Sequence, residues 1–151
     1  MQLVPQSKRR AASARRKAYA LENAIWQEGL PQLDVPIRHF FAAGVYGREM
    51  TVPAGCVVVG KIHKYEQINV LSKGEVSVQT DEGVQHFSAP HTFIGTAGAK
   101  RVFHTHSEIV WTVFHATPET DVEKIEEIFI AKDEQTYLAF AKEQEVLLCL
   151  G

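Results

Sequence analysis

Between Ile37 and His115 the chain is cut into short runs of residues by repeated turn formers. The breaks fall at Gly44, Pro53-Ala54-Gly55, Lys73-Gly74, Asp81-Glu82-Gly83, Ala89-Pro90 and Gly95 to Gly98. Strands of this length can bury their apolar sides only by stacking two sheets or closing one, so the pattern predicts a β-sandwich or barrel. Predicted strands are 38–42, 46–51, 57–64, 67–72, 75–80, 84–88, 92–94, 101–104 and 109–115. Asp81-Glu82-Gly83, between VSVQT and VQHF, is a hairpin signal.

Helical patterns flank this region. Residues 7–28 read as a helix with Ser7 as its cap and Gly29-Leu30-Pro31 as its stop. Leu21, Ala24, Ile25 and Glu28 would dock its C-terminal half, leaving the basic half mobile. After Thr117-Pro118, residues 119–130 place Val122, Ile125, Ile128 and Phe129 at helical steps, with Thr120 or Asp121 as cap. A second helix is expected over 133–147. The organisation is therefore a basic helix and linker (1–36), a β-barrel (37–117) and an acidic helical segment (118–151) packed on it.

Charge is unevenly spread. Residues 1–20 hold Lys8, Arg9, Arg10, Arg15, Arg16 and Lys17 without an acid, whereas the remaining 131 carry a net charge of -8. A solvated arm touching an acidic body is the plain reading, and phosphate contact with nucleic acid is the alternative. No apolar run approaches the roughly 20 residues that span a bilayer, and no apolar signal segment opens the chain. Cys56 and Cys149, the two cysteines, are too few for a disulfide scaffold. A cytoplasmic location is the expectation.

From Gly55 the spacing continues through Lys61, His63 and Gln67 to Gly74. These steps resemble the first motif of the cupins, in which Gly, two His, Glu and a second Gly stand at the same intervals. The second motif fits more loosely, over Pro90, Thr96, Gly98, Arg101 and Thr105, with Arg101 at its His position. The blocks FFAAGVYGREMTVPAG, GKIHK, INVLSKGEVSV, SAPHTFIGTAGAKRVF and IVWTVFHATPETDVEKIEE are similar to small cupin-like proteins of bacteriophages. The resemblance implies a mainly β, double-stranded β-helix (jelly-roll) fold, a homodimer or higher homo-oligomer, and a phage-encoded protein working in the host cytoplasm. It brings no assigned activity.

Alternation along the segment turns Lys61, His63, Tyr65, Gln67 and Asn69 to one side. Lys61 and Arg101 offer only hydrogen-bond donors where a metal needs lone pairs, so the expected cofactor is none. His63, His104 and His106 form the alternative set for a divalent transition metal. The same two cations suit an anion, Arg101 as a fork and Lys61 as a point charge. The expected ligand-binding residues are Lys61, His63, Tyr65, Gln67, Asn69, Arg101 and Trp111, the last as a ring face if it is not ordinary core. Lys100 alternates away from Arg101 into solvent, and His39, His86 and His91 are expected at the surface or satisfied.

Three functions follow. The first is a metal-free binding protein for a small anionic molecule such as a nucleotide or sugar phosphate, sequestering a host signalling molecule. The second is an enzyme of isomerase or epimerase type, with His63 as base and Tyr65 as acid, or a degenerate metal-dependent cupin. The third is a structural or assembly accessory protein.

Overall fold

The computed structural model describes residues 3–150; Met1, Gln2 and Gly151, at the ends of the first and third sequence segments, lie outside them. The elements are α1 (Gln6–Gln27), β1 (Ile37–Ala42), β2 (Val45–Val52), β3 (Val57–His63), β4 (Gln67–Lys73), β5 (Glu75–Thr80), β6 (Gly83–Ser88), β7 (His91–Gly95), β8 (Lys100–Thr105), β9 (Ile109–Ala116), α2 (Val122–Phe129), β10 (Ile130–Ala131) and α3 (Glu134–Leu150). All nine expected strands form, each within a residue or two of its expected limits. The short strand β10, which extends the edge at β3, had no sequence signal.

Two five-stranded antiparallel sheets face each other, ordered β1-β2-β9-β4-β7 and β10-β3-β8-β5-β6. Their inner strands, 2-9-4-7 against 3-8-5-6, give the eight-stranded jelly roll that the cupin-like spacing implied. Inward-facing side chains of both sheets meet in one core of Val52, Leu71, Val76, Val78, Phe103, Ile109, Trp111 and Val113. The core fills the barrel from one end. Trp111 is 4% exposed and packs edge-on to Phe93 and against Phe103, at centroid distances of 5.4 and 5.0 Å. It is therefore core and offers no ring face to a ligand.

The N-terminal helix corrects several expectations. Pro5, not Ser7, stands at its N-cap, and no side chain caps it. Its docked face is set by Arg15 and Ala18, while Leu21, Ala24 and Glu28 are exposed. Arg15 is held from three sides: Nε to Glu134 Oε1 at 3.1 Å, Nη1 to the Gly98 carbonyl at 3.2 Å, and the guanidinium 5.0 Å from the Tyr137 ring. Lys8 pairs with Glu145 of α3 at the surface, so the basic half is docked by Arg15 and touches α3 near its start. Lys100 is likewise buried beneath α1 and not solvated. Its Nζ donates to the Gly60 carbonyl at 2.8 Å, lies 3.2 Å from Glu22 and sits 4.7 Å from the Tyr19 ring. No helix of the described residues is long and apolar enough to cross a membrane.

Candidate anion site at the barrel mouth

One end of the barrel is apolar and the other is cationic. On β2, Arg48 shares its face with the core residues Met50 and Val52, because alternate side chains of a strand point the same way. On β9, His115 continues the inward row of Trp111 and Val113; on β8, Arg101 continues that of Phe103. A bulge between Val59 and Ile62 shifts the alternation of β3. Ile62 therefore shares the face of Lys100 under α1, while His63 turns inward and Lys61 reaches the rim.

These groups act on one another. The rings of His63 and His115 stack with centroids 5.8 Å apart. Burial, then the positive charges of His115 (when protonated), Arg48 and Arg101, holds His63 down to about 4. Burial and Arg48 hold His115 to about 4 as well. Both imidazoles are thus neutral at pH 7. Their Nδ1 atoms are the two buried side-chain polar atoms among the described residues without a hydrogen-bond partner. An orphan of this kind costs about 1–3 kcal/mol, and a ligand oxygen would relieve it.

Two carboxylates stand beside three cations. Arg101 Nη1 lies 3.6 Å from Asp81 Oδ1, and its Nη2 donates to Thr96 Oγ1 at 3.2 Å. Lys61 pairs with Glu126 of α2. Burial, then the like charge of Arg48, pushes the Lys61 ammonium below its ordinary value. Burial lowers Arg101 too, against the opposing pull of Asp81. Arg48 has no carboxylate partner among the described residues; burial lowers it, and water still reaches its side chain.

The other expected ligand groups lie elsewhere or are already engaged. Tyr65 sits in the turn between β3 and β4, edge-on to Phe129 and Phe140 at 5.8 and 5.1 Å. Asn69 Oδ1 accepts from Trp111 Nε1 at 2.9 Å. Gln67 faces inward beside it, and with its nitrogen toward two carbonyls it donates to Tyr65 at 2.7 Å and Gly95 at 3.2 Å. Arg48 and His115 were absent from the expected set, although the inward alternation of their strands carried the signal.

Helix α2 covers part of this end. Asp121 caps it by accepting from the amides of Glu123 and Lys124. Phe129 stacks on His115 at 4.3 Å, and Ile125 and Phe129 form a small cluster with Tyr46. A cavity of about 380 Å³ lies among the ends of β2, β4, β7 and β9, lined by Val45, Gln67, Ile94, Phe114 and His115. A groove of about 610 Å³, outside the barrel between α1, β3, α2 and β10, reaches Lys61 and Lys100.

The donor set at this end does not fit a divalent transition metal. Arg101 and Lys61 present only N–H groups, which leaves two imidazoles where three or four lone-pair donors are needed. His104 on the exposed outer face of β8 and His106 just after that strand, its Nε2 2.7 Å from Ser77 Oγ, do not join the inward-facing His63. Among the described residues no group of three or more His, Cys, Asp or Glu converges on a metal position. Glu49 and Glu108 pair with Arg38 and Lys73 instead.

The neutral imidazoles make stability depend on pH. In the unfolded chain a histidine takes up a proton near pH 6.5, whereas His63 and His115 resist it until about 4. The unfolded state binds more protons between those values, so this contribution is complete above 6.5 and is lost as pH falls toward 4. Urea unfolding at pH 7 and pH 4.5 will show the decline, and His115→Gln will make it shallower. An identical decline in that variant would contradict neutral burial.

No family model matches the chain, and no curated protein does. Solved structures similar in fold include a cupin superfamily protein from Desulfitobacterium hafniense, with a TM-score of 0.49 and 9% identity over 58% of this chain and 81% of that one. A putative ethanolamine utilization protein Q from Salmonella typhimurium gives 0.49 and 14% over 62% and 76%. An RmlC-like cupin family protein from Methanocaldococcus jannaschii gives 0.46 and 11% over 58% and 84%. The strand order itself carries the fold assignment.

Proposed function

We propose that this protein binds a small anionic metabolite, through a phosphoryl group, at the cationic end of its barrel and without a metal. The observation that supports the reading is that Arg48 and Arg101 both lie near enough to His63 to act on its charge, with Lys61 near Arg48, beside two neutral imidazoles whose Nδ1 atoms lack partners among the described residues. A guanidinium offers a planar fork to two oxygens, and Arg48 has none of its fork engaged by a carboxylate among the described residues. The neutral imidazoles can each present an N–H to an oxyanion. Sugar phosphates and nucleotides carry such a group.

Binding is favoured over acid–base catalysis by the chemistry of His63. A base whose conjugate acid has a pKa of about 4 is weak at neutral pH. Its expected partner Tyr65 is packed among Phe129 and Phe140 in the turn.

Glu126 is the internal competitor of such a ligand, because it holds Lys61. An exposed pair of this kind is worth about 0.2–1 kcal/mol, so Glu126→Gln will tighten binding by about 1.4- to fivefold. Calorimetry with inorganic pyrophosphate at pH 7 measures both. Saturable one-to-one binding, tighter in Glu126→Gln, is expected. Absence of heat at millimolar pyrophosphate in both proteins removes the proposal.

A further inference from the structure

Six basic residues lie on α1, and the structure divides them by role. Lys8 and Arg15 are spent on Glu145 and Glu134 of α3. Arg9, Arg10, Arg16 and Lys17 are exposed and form no ion pair among the described residues. Positions seven apart differ by two helical turns less about 20°, so Arg9 aligns with Arg16 and Arg10 with Lys17. The four form one stripe on the side away from buried Arg15 and Ala18. The first acid along the chain is Glu22, already turned to Lys100.

A basic segment free at both ends would be a solvated tail. This one is not free. Arg15, Ala18 and the Glu22–Lys100 pair fix the helix on the barrel, and the exposed Lys8–Glu145 pair adds a weak tie at its first turns. The stripe is therefore held in one orientation, with its two pairs of cations about 10.5 Å apart along the axis. That separation is close to the roughly 12 Å width of a DNA major groove, whose edges are lined by phosphates. Residues 21–151 carry a net charge of -8, so the body as a whole does not attract a polyanion.

We infer that the outer face of α1 is a sequence-independent docking surface for the phosphate backbones of duplex DNA. An anionic membrane fits it less well. A membrane-surface helix sets bulky apolar residues beside its cations, whereas here the small residues Ser13 and Ala20 lie between and beyond them.

The test is fluorescence anisotropy with the full chain and a labelled mixed-sequence duplex of about 20 base pairs. With three or four phosphates neutralised, raising salt from about 50 to about 200 mM will weaken binding by roughly 40- to 150-fold. The variant R9Q/R10Q/R16Q/K17Q will lose at least about tenfold in affinity and most of the salt dependence, with an unchanged circular dichroism spectrum. Lys73→Gln, an exposed lysine on β4, will leave affinity unchanged. No duplex binding at the lower salt overturns the inference, as does equal affinity in the quadruple variant. Binding to vesicles of phosphatidylglycerol and phosphatidylcholine without binding to the duplex also overturns it. Pyrophosphate binding at the barrel mouth is read separately, so either result stands without the other.

Discussion

Replacing Arg48 and Arg101 together with glutamine will weaken pyrophosphate binding by at least about a hundredfold. A hydrogen bond to a charged group contributes about 1.5–3 kcal/mol, and two such losses amount to about 3–6 kcal/mol, or roughly 10²- to 10⁴-fold in affinity. Stability will respond differently. In the free protein burial lowers the pKa of each guanidinium. Removing them relieves that desolvation, at the loss of the Arg101–Asp81 pair. The melting temperature of the unliganded variant will therefore stay level or rise. A variant that binds as the parent does would separate Arg48 and Arg101 from the site. One that fails to fold would show their role to be structural.

The largest effect on folding is expected at Gly74, the last glycine of the cupin-like spacing. Its φ is 85°, in the left-handed region. A Cβ there would lie 2.2 Å from the carbonyl oxygen of Glu108 and 2.9 Å from Ile109 Cγ2. The obstacle is backbone at the start of β9, which pairs with β4, so it cannot swing aside as a side-chain end would. The left-handed conformation costs about 1–2 kcal/mol and the overlap about 1–3 more. Gly74→Ala will therefore lower the melting temperature by roughly 5–20 °C. Differential scanning calorimetry decides the matter; a fall no larger than that of an exposed alanine substitution would mean the turn can move. Gly98, in the second motif, is held by a different partner. It has a φ of 81°, and a Cβ would meet the Tyr137 ring at 2.4 Å.

These two glycines explain why the fold was legible while the site was only half so. Turn formers and alternating apolar residues are local signals, and each expected strand appears where its punctuation placed it. The motif spacing likewise led to Lys61, His63 and Arg101; Lys61 and His63 each lie near Arg48, and Arg101 lies near His63. What could not be read locally was which chain covers which face. Tyr65 seemed to continue the alternation of His63, but the strand ends at His63 and the turn carries Tyr65 to α2 and α3. Asn69 points inward as expected, yet the Trp111 indole beside it takes its carbonyl oxygen. Lys100 seemed solvated because nothing in the strand pattern says that α1 lies over it.

Arg48 and His115 were missed for a related reason. Each sits among apolar residues in a strand recognised correctly, and each shares its parity with core residues of that strand. A polar side chain continuing a core row marks the end where the core stops. Asking that question of every strand would have found both. The helix α1 was misread in register because its docked face is built from an arginine and an alanine and not from its larger apolar residues. The buried guanidinium is satisfied by Glu134, the Gly98 carbonyl and Tyr137, and only one of these, Glu134, is an acid.

The central claim is that one end of this jelly roll is electrostatically prepared for an oxyanion. Diffraction from crystals soaked in selenate, recorded at the selenium edge, tests it most directly. An anomalous peak within hydrogen-bonding reach of Arg48 and at least one of Arg101, His63 or His115 is the result this account predicts. Selenate bound solely along α1, or a cation held between His63 and His115 with Arg48 turned away, would contradict it.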